Sequence, residues 1–185
     1  MAWIVIGVIA VLLLWLVVTY NRLVALRQTT GQAWSDVDVQ LKQRHDLIPN
    51  LVETVRGYAS HEHSTLEGVV KARNQALAAQ GPDQAAAAEG VLGAALGRLL
   101  ALSEAYPDLK ANQNFLQLQG ELGDAENKIA AARRFFNNAV AEYNSAIQQI
   151  PAVLFAGALG FLPSRFFEVA ENERAAIAAP PRVKF

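Results

Sequence analysis

The N-terminus constrains this chain more than any other part of it. The first twenty residues, MAWIVIGVIAVLLLWLVVTY, carry no charge, and every Asp, Glu, Lys and Arg lies at Arg22 or beyond. A helix over residues 2–20 would be about 28 Å long, close to the ~30 Å hydrocarbon core of a bilayer. Trp3, Trp15 and Tyr20 lie towards its two ends, where interfacial aromatic residues are expected. The sequence therefore predicts a transmembrane helix at residues 1–20.

Two other interpretations of this segment are a cleaved signal peptide and a buried core helix. A signal peptide would carry Lys or Arg before the apolar run and small residues at a cleavage site, and this chain has neither. A core helix would rarely run so far without a polar face. A retained anchor is therefore favoured. Because Arg22 and Arg27 flank only its C-terminal end, residues 21–185 are expected in the cytoplasm, with extracytoplasmic placement as the alternative.

The remainder of the chain has the size of one domain and a balanced charge. The whole sequence has 16 basic and 17 acidic residues and a net charge of −1, which argues against a nucleic-acid-binding surface. It has no cysteine, so it offers no thiol chemistry, disulfide or lipidation site.

Helical periodicity dominates beyond the anchor, so the predicted class is all-α. Apolar residues recur at three- and four-residue spacing from Leu23 to Leu41, without a linker after the anchor. Asp46 could cap a helix and Pro49 falls in the following first turn, which predicts a break between the first and second helices. The second helix is then expected to continue as far as Leu77.

Two further breaks separate a third and a fourth helix. The loop at residues 80–83, QGPD, precedes an Ala- and Gly-rich helix at about residues 84–105, and Tyr106-Pro107-Asp108 ends it. The fourth helix has an unbroken stripe and is predicted over residues 108–149. Four long helices with short loops predict an antiparallel four-helix bundle over residues 21–150, which continues directly from the anchor.

Residues 151–185 form an aromatic and proline-rich tail. In an antiparallel bundle the fourth helix returns Pro151 towards the bilayer, so the apolar segment 152–162 could lie at the membrane interface or cap the end of the bundle. Clustered aromatic residues outside the main stripes also predict a surface for homo-oligomerisation. The expected contact residues are Phe155, Phe161, Phe166, Phe167 and Phe185.

Four collinear motifs resemble the LemA family. They are AWSDVDVQLKQRHDLIPNLV at residues 33–52, GYASHE at 57–62, EAYPDLKAN at 104–112 and ARRFFN at 132–137. The resemblance implies a bacterial protein with one N-terminal span and a four-helix bundle, placed in the inner membrane, with no established enzymatic activity. Where the family usually has a tyrosine before Asn137, this chain has Phe136.

No catalytic or metal-binding constellation stands out. His61 and His63 would point about 200° apart on a helix, so they could not face one ion, and the chain lacks a His-Glu-x-x-His pair. Solvated or hydrogen-bonded histidines are favoured. Asp36 and Asp38 likewise lie on opposite sides of a helix. We therefore assign no catalytic residue, metal ligand or cofactor.

The polar residues of the family motifs are interpreted as structural, with a docking face as the alternative. Arg44, Asp46 and Asn50 surround the predicted turn, while Asn112, Glu126 and Arg133 could pair across the bundle. The full candidate set is Arg44, Asp46, Pro49, Asn50, Tyr58, His61, Glu62, Tyr106, Asn112 and Arg133.

The sequence predicts a non-enzymatic membrane protein whose bundle is an assembly or scaffold module. Its expected partners are the lipid membrane, further copies of itself and an unidentified membrane or cytoplasmic protein. The alternative is a membrane-bound sensory or adaptor bundle that binds a small ligand between its helices.

Overall fold

The computed structural model describes residues 1–168, and this part of the chain is helical without a strand. Its five helices are α1 (Ala2–Arg56), α2 (His63–Ala78), α3 (Gly81–Ser103), the single turn α4 (Pro107–Lys110) and α5 (Gln113–Gln148). A 3-10 turn follows at Ala152–Leu154. The all-α class and the apolar start of the first helix agree with the sequence.

The predicted break between the first two helices is wrong. Helix α1 runs without interruption through Asp46 and Pro49, so Asp46 caps nothing and the first true break is residues 57–62. Ile48, Leu51 and Val55 are all fully buried, and their packing in the core stabilises the helix on both sides of the proline. The break follows at Gly57, whose entropy cost disfavours a helix interior.

The other predicted boundaries are closer to the structure. Helix α3 begins at Gly81, whose φ of +74° is readily adopted only by glycine, and Pro82 occupies its first turn. The predicted fourth helix is divided, because Asn112 separates the turn α4 from α5. The Asn112 side chain accepts a hydrogen bond from the Phe115 N–H at 3.0 Å, as an N-cap does.

The chain divides into two compact units. The first comprises Met1–Val37 and Ala132–Phe166, and the second comprises Asp38–Ala131 together with Phe167 and Glu168. Residues of all five helices contribute to the core of the second unit, including Val55, Val69, Leu99, Leu109 and Phe115. These side chains are almost completely buried.

The core of the first unit joins the start of the tail to both long helices. Leu23 of α1 and Tyr143 of α5 pack with Ala152, Ala156 and Phe161. The Tyr143 hydroxyl donates to the Leu162 carbonyl at 3.0 Å. The tail as far as Phe161 is thus part of a core rather than a separate segment.

Phe136, which stands where the family usually has tyrosine, is a buried core residue of the first unit. Its ring lies against that of Trp34, with centroids 5.3 Å apart. An apolar ring needs no hydrogen-bond partner at this buried position.

Candidate functional site

A buried cluster of charged side chains is the main polar feature of the second unit. Arg44 and His45 of α1 meet Glu89 of α3 and Glu126 of α5. Arg44 forms ion pairs with both glutamates, and His45 Nε2 lies 2.6 Å from Glu89 Oε1. Arg44, His45 and Glu89 are each less than a tenth exposed, whereas Glu126 is about half exposed.

The cluster keeps His45 neutral. Burial and the neighbouring guanidinium groups of Arg44 and Arg73 lower the pKa of His45 to about 4, while Asp46 and Asp38 act in the opposite direction. The adjacent Glu89 carboxylate also favours the charged ring, but we assign the neutral form because burial is the largest effect. The ring nitrogen faces an acceptor, so we assign its proton to Nε2, from where it donates to Glu89.

Charges in this cluster compensate each other internally. Glu89 and Glu126 balance Arg44 and the nearby Arg73, so a neutral His45 leaves the group close to zero net charge. Buried ion pairs are tolerated where partners compensate for lost hydration. This arrangement stabilises contacts among three helices and leaves its acids and bases engaged with one another.

A second polar contact explains how α1 passes through Pro49. Proline has no N–H, so the carbonyl four residues earlier, that of His45, loses its helical donor. Arg73 of α2 supplies the missing donor, because its Nε lies 2.8 Å from the His45 carbonyl oxygen. A guanidinium group therefore takes the place of a backbone amide at the point where the sequence predicts a break.

A third group joins family-motif residues near the ends of the helices in the second unit. The Asn112 side-chain amide donates to the Tyr58 hydroxyl at 2.9 Å. The Tyr106 hydroxyl contacts Glu62 Oε1 at 3.4 Å. Four of the candidate residues are thus brought together in two pairs, and Asn112 also caps α5.

The remaining candidate residues are dispersed. Asp46, Pro49, Asn50 and His61 are exposed, and Arg133 is half-buried. His45, His61 and His63 do not converge, and within residues 1–168 no group of three His, Asp or Glu side chains could hold a metal ion.

The aromatic residues expected at an oligomer contact occupy different environments. Phe161 and Phe167 are buried within the chain itself, Phe155 is half-buried and Phe166 is 37% exposed. Phe185 lies outside the described residues.

Sequence reasoning missed Glu89 and Arg73, and it did not connect His45 to either of them. The available signal was Glu89 itself, the sole acid between Asp83 and Glu104 in a helix rich in Ala, Gly and Leu. An isolated charge on such a helix needs a buried partner when the helix packs. The Pro49 pattern held a second signal, because a proline inside a helix leaves a carbonyl to be satisfied elsewhere.

The apolar start of α1 is exposed along its whole length. Every large apolar side chain from Trp3 to Val18 is at least 44% exposed, and α1 is long and apolar enough to cross a membrane. Helix α3 also meets that criterion by length and composition, but Leu92, Leu96 and Leu99 on it are buried in the second unit. The apolar residues of α3 therefore pack in a protein core, whereas those at the start of α1 do not.

A family model described as the LemA family matches residues 33–185, which include the charged cluster and the hydrogen-bonded pairs. The chain belongs to the LemA family. The matched region begins after the apolar run, so membership rests on the helical region and the exposed apolar segment is an additional observation.

Curated relatives include other LemA-family proteins. The magnetosome protein MamQ of Magnetospirillum gryphiswaldense is 28% identical over 178 residues, covering 82% of this chain and 65% of the relative. MamQ 2 of Paramagnetospirillum magneticum is 27% identical, covering 83% and 66%. Protein LemA of Metamycoplasma hominis is 26% identical over 156 residues, covering 83% and 71%. This LemA-family chain spans about two thirds of the length of the MamQ relatives.

Proposed function

We propose that this LemA-family chain is a single-pass membrane protein whose helical region is a non-enzymatic assembly module on the cytoplasmic side of a bacterial inner membrane. The module self-associates at the membrane and acts as a scaffold.

The observation that carries the proposal is the contrast along helix α1. Its first part exposes a continuous apolar surface, whereas its later part contributes Arg44, His45 and Ile48 to a packed and ion-paired core. Exposure of such a large apolar surface to water is unfavourable for a monomer, whereas contact with lipid is favourable. One helix therefore supplies both the membrane attachment and part of the module.

Arginine placement supports the cytoplasmic orientation. Arg22 and Arg27 follow the apolar run within two turns, and residues 1–20 contain no basic side chain. Positive residues close to a span favour the cytoplasmic side.

The pairing of the buried charged side chains with one another supports a structural rather than a catalytic role. Catalysis requires an acid or base that can reach a substrate. Arg44, His45 and Glu89 are buried and engaged with each other, so their geometry serves helix packing.

Attachment to a surface would favour self-association, because an anchor raises the effective concentration of neighbouring copies. Since Phe161 and Phe167 are buried within their own chain, we propose Phe166 and Phe185 as the contact residues. Light scattering of the full chain in detergent should give a mass above that of a monomer. Truncation after Glu168 should reduce that mass while preserving helicity. A monomeric full chain would contradict the assembly role.

A groove beside α2 favours the alternative, a sensory or adaptor role. It has a volume of about 770 Å³ and combines apolar Leu66 and Val70 with two basic residues, Arg56 and Lys71, and one acidic residue, Glu67. An anionic apolar dye, anilinonaphthalene sulfonate, would test its capacity to bind such ligands. If this groove binds the dye, the Val70→Asp variant should weaken binding, whereas Val39→Asp, on an exposed position of α1, should not.

A further inference from the structure

Residues 150–162 form an uncharged segment with several exposed apolar side chains. The sequence IPAVLFAGALGFL has no Asp, Glu, Lys or Arg, and the next charged residue is Arg165. Leu154 is 79% exposed and Leu162 is 68% exposed. The other members of this group are Ile150, Val153 and Leu159, each at least half exposed. Soluble monomers rarely leave such a concentration of large apolar residues in water.

Contacts in the first unit fix where this segment lies along α1. The ring of Phe161 packs edge-on against Tyr20, with centroids 5.5 Å apart. Leu23 packs in the same core as Ala152, Ala156 and Phe161. Tyr20 lies at the end of the apolar run, and Arg22 carries the first charged side chain of the chain. The segment is therefore held beside the point at which α1 changes from apolar to charged.

The backbone of the segment is suited to an apolar environment. Amide groups in lipid must find partners within the protein, because no water is present to bind them. Here the Ala156 N–H donates to the Ala152 carbonyl at 2.7 Å, and the Phe161 N–H donates to the Ala156 carbonyl at 2.9 Å. The N–H groups of Val153, Leu154, Phe155, Leu159 and Gly160 also donate to carbonyls between Gln149 and Gly157.

Gly160 closes this compact turn. Its φ of +77° lies in the left-handed region, which glycine adopts without steric cost. The turn returns Phe161 to the core and leaves Leu159 and Leu162 exposed on either side of it. The segment thus anchors itself through its small and aromatic residues and presents its aliphatic ones outwards.

We infer that residues 150–162 form a second membrane contact, which inserts Leu154, Leu162 and their exposed apolar neighbours into the lipid–water interface beside the transmembrane part of α1. The inference rests on the proposed anchoring of residues 1–20. The partner is a bilayer surface, because the segment is continuous in space with the end of the apolar run. Apolar side chains of interfacial segments enter a bilayer by about 5–10 Å. The segment is too short to span it.

Lipid quenching of single fluorescent labels tests this contact on the full chain, which has no native cysteine. Cysteine is introduced separately at Leu154, Leu162, Val11 and Ser35, and each variant is labelled with the fluorophore NBD. Val11 reports on the proposed span. Ser35 is exposed in the same unit, about 22 Å along α1 from Tyr20, and serves as the matched control. Circular dichroism checks that each variant remains helical.

The vesicles contain phosphatidylethanolamine and phosphatidylglycerol, with a lipid spin-labelled either at a shallow or at a deep acyl position. We expect the Leu154 and Leu162 labels to lose more fluorescence with the shallow quencher than with the deep one. The Val11 label should lose more with the deep quencher, and the Ser35 label should be unaffected.

Two results would overturn the inference while leaving the anchor intact. In the first, Val11 is quenched but Leu154 and Leu162 behave like Ser35. In the second, the Leu154 and Leu162 labels escape the lipid quencher and shift their emission to shorter wavelength as the protein-to-lipid ratio rises, which would show that another copy covers them. Loss of quenching at Val11 itself would instead contradict the proposed anchor.

Discussion

Glu89 is the side chain on which the buried cluster depends most. It pairs with Arg44 and accepts from His45, and all three are removed from water. Removing one member of a buried pair leaves the other without compensation, which is more costly than the pair itself.

We expect Glu89→Gln to lower the free energy of unfolding by about 3 kcal/mol, because within residues 1–168 Arg44 then keeps only Glu126 as a charged partner. Glu104→Gln is the matched control. It breaks an exposed 2.5 Å pair with Lys110 and should cost about 0.5 kcal/mol or less. Denaturant unfolding of the full chain in detergent measures both values, and equal losses would contradict the structural importance of the cluster.

His45 should make the stability of the protein sensitive to mild acid. Its pKa is about 4 in the fold and 6.5 in the unfolded chain, so between these values the unfolded state binds more protons. The stabilisation is present above pH 6.5 and is lost as the pH falls towards 4. From pH 7 to pH 5 we expect a loss of about 2 kcal/mol from this group.

The His45→Gln variant supplies the comparison for that prediction, since glutamine retains a donor for Glu89 but does not titrate. Denaturant unfolding at pH 7 and pH 5 should show a smaller loss for the variant than for the parent protein. Identical pH dependence of the two proteins would show that His45 does not titrate differently on folding.

Helix α1 shows why the ends of a helix cannot always be predicted from local sequence. The apolar stripe from Leu23 to Leu41 correctly predicts that the helix continues beyond residue 20, but the pattern at Asp46 and Pro49 predicts a helix start that the structure does not have. Local chemistry at Asp46 and Pro49 favours a break. It was overcome by burial of Ile48 and Leu51 and by the Arg73 contact, both of which depend on residues distant in sequence.

The Arg73 contact can be tested by a double-mutant cycle. Arg73→Met should destabilise the protein by about 1–3 kcal/mol, because the His45 carbonyl loses its donor. In a Pro49→Ala background the backbone regains an N–H that can serve that carbonyl, so the same substitution should cost distinctly less. Chemical denaturation of the four proteins gives the coupling. Equal costs in the two backgrounds would mean that Arg73 does not compensate for the proline.

The buried charged cluster and the tail also depend on contacts between residues that are far apart in the sequence. Family motifs directed attention to Arg44, Tyr58, Glu62, Tyr106 and Asn112, and the structure places each of them in a polar contact. The sequence could not show that Glu89 meets Arg44, since 45 positions separate them. For the tail, the sequence is compatible both with a membrane interface and with a cap on the bundle. The packing of Ala152 and Phe161 with Leu23 shows where the tail lies along α1.

The proposed assembly role and the proposed second membrane contact both depend on membrane attachment and on its orientation. Residues 1–20 are the expected span, and the helical region that follows Arg22 is expected on the cytoplasmic side. The absence of cysteine allows one introduced thiol to report on that region without background.

Labelling of Ser35→Cys with a membrane-impermeant maleimide tests both the attachment and the orientation. Ser35 is exposed beyond the expected span, so its substitution disturbs no buried contact. We expect no labelling in bacterial spheroplasts and full labelling in inverted inner-membrane vesicles that carry the same protein. Labelling of spheroplasts would place the helical region outside the cytoplasm, and recovery of the protein in the soluble fraction would contradict the anchor.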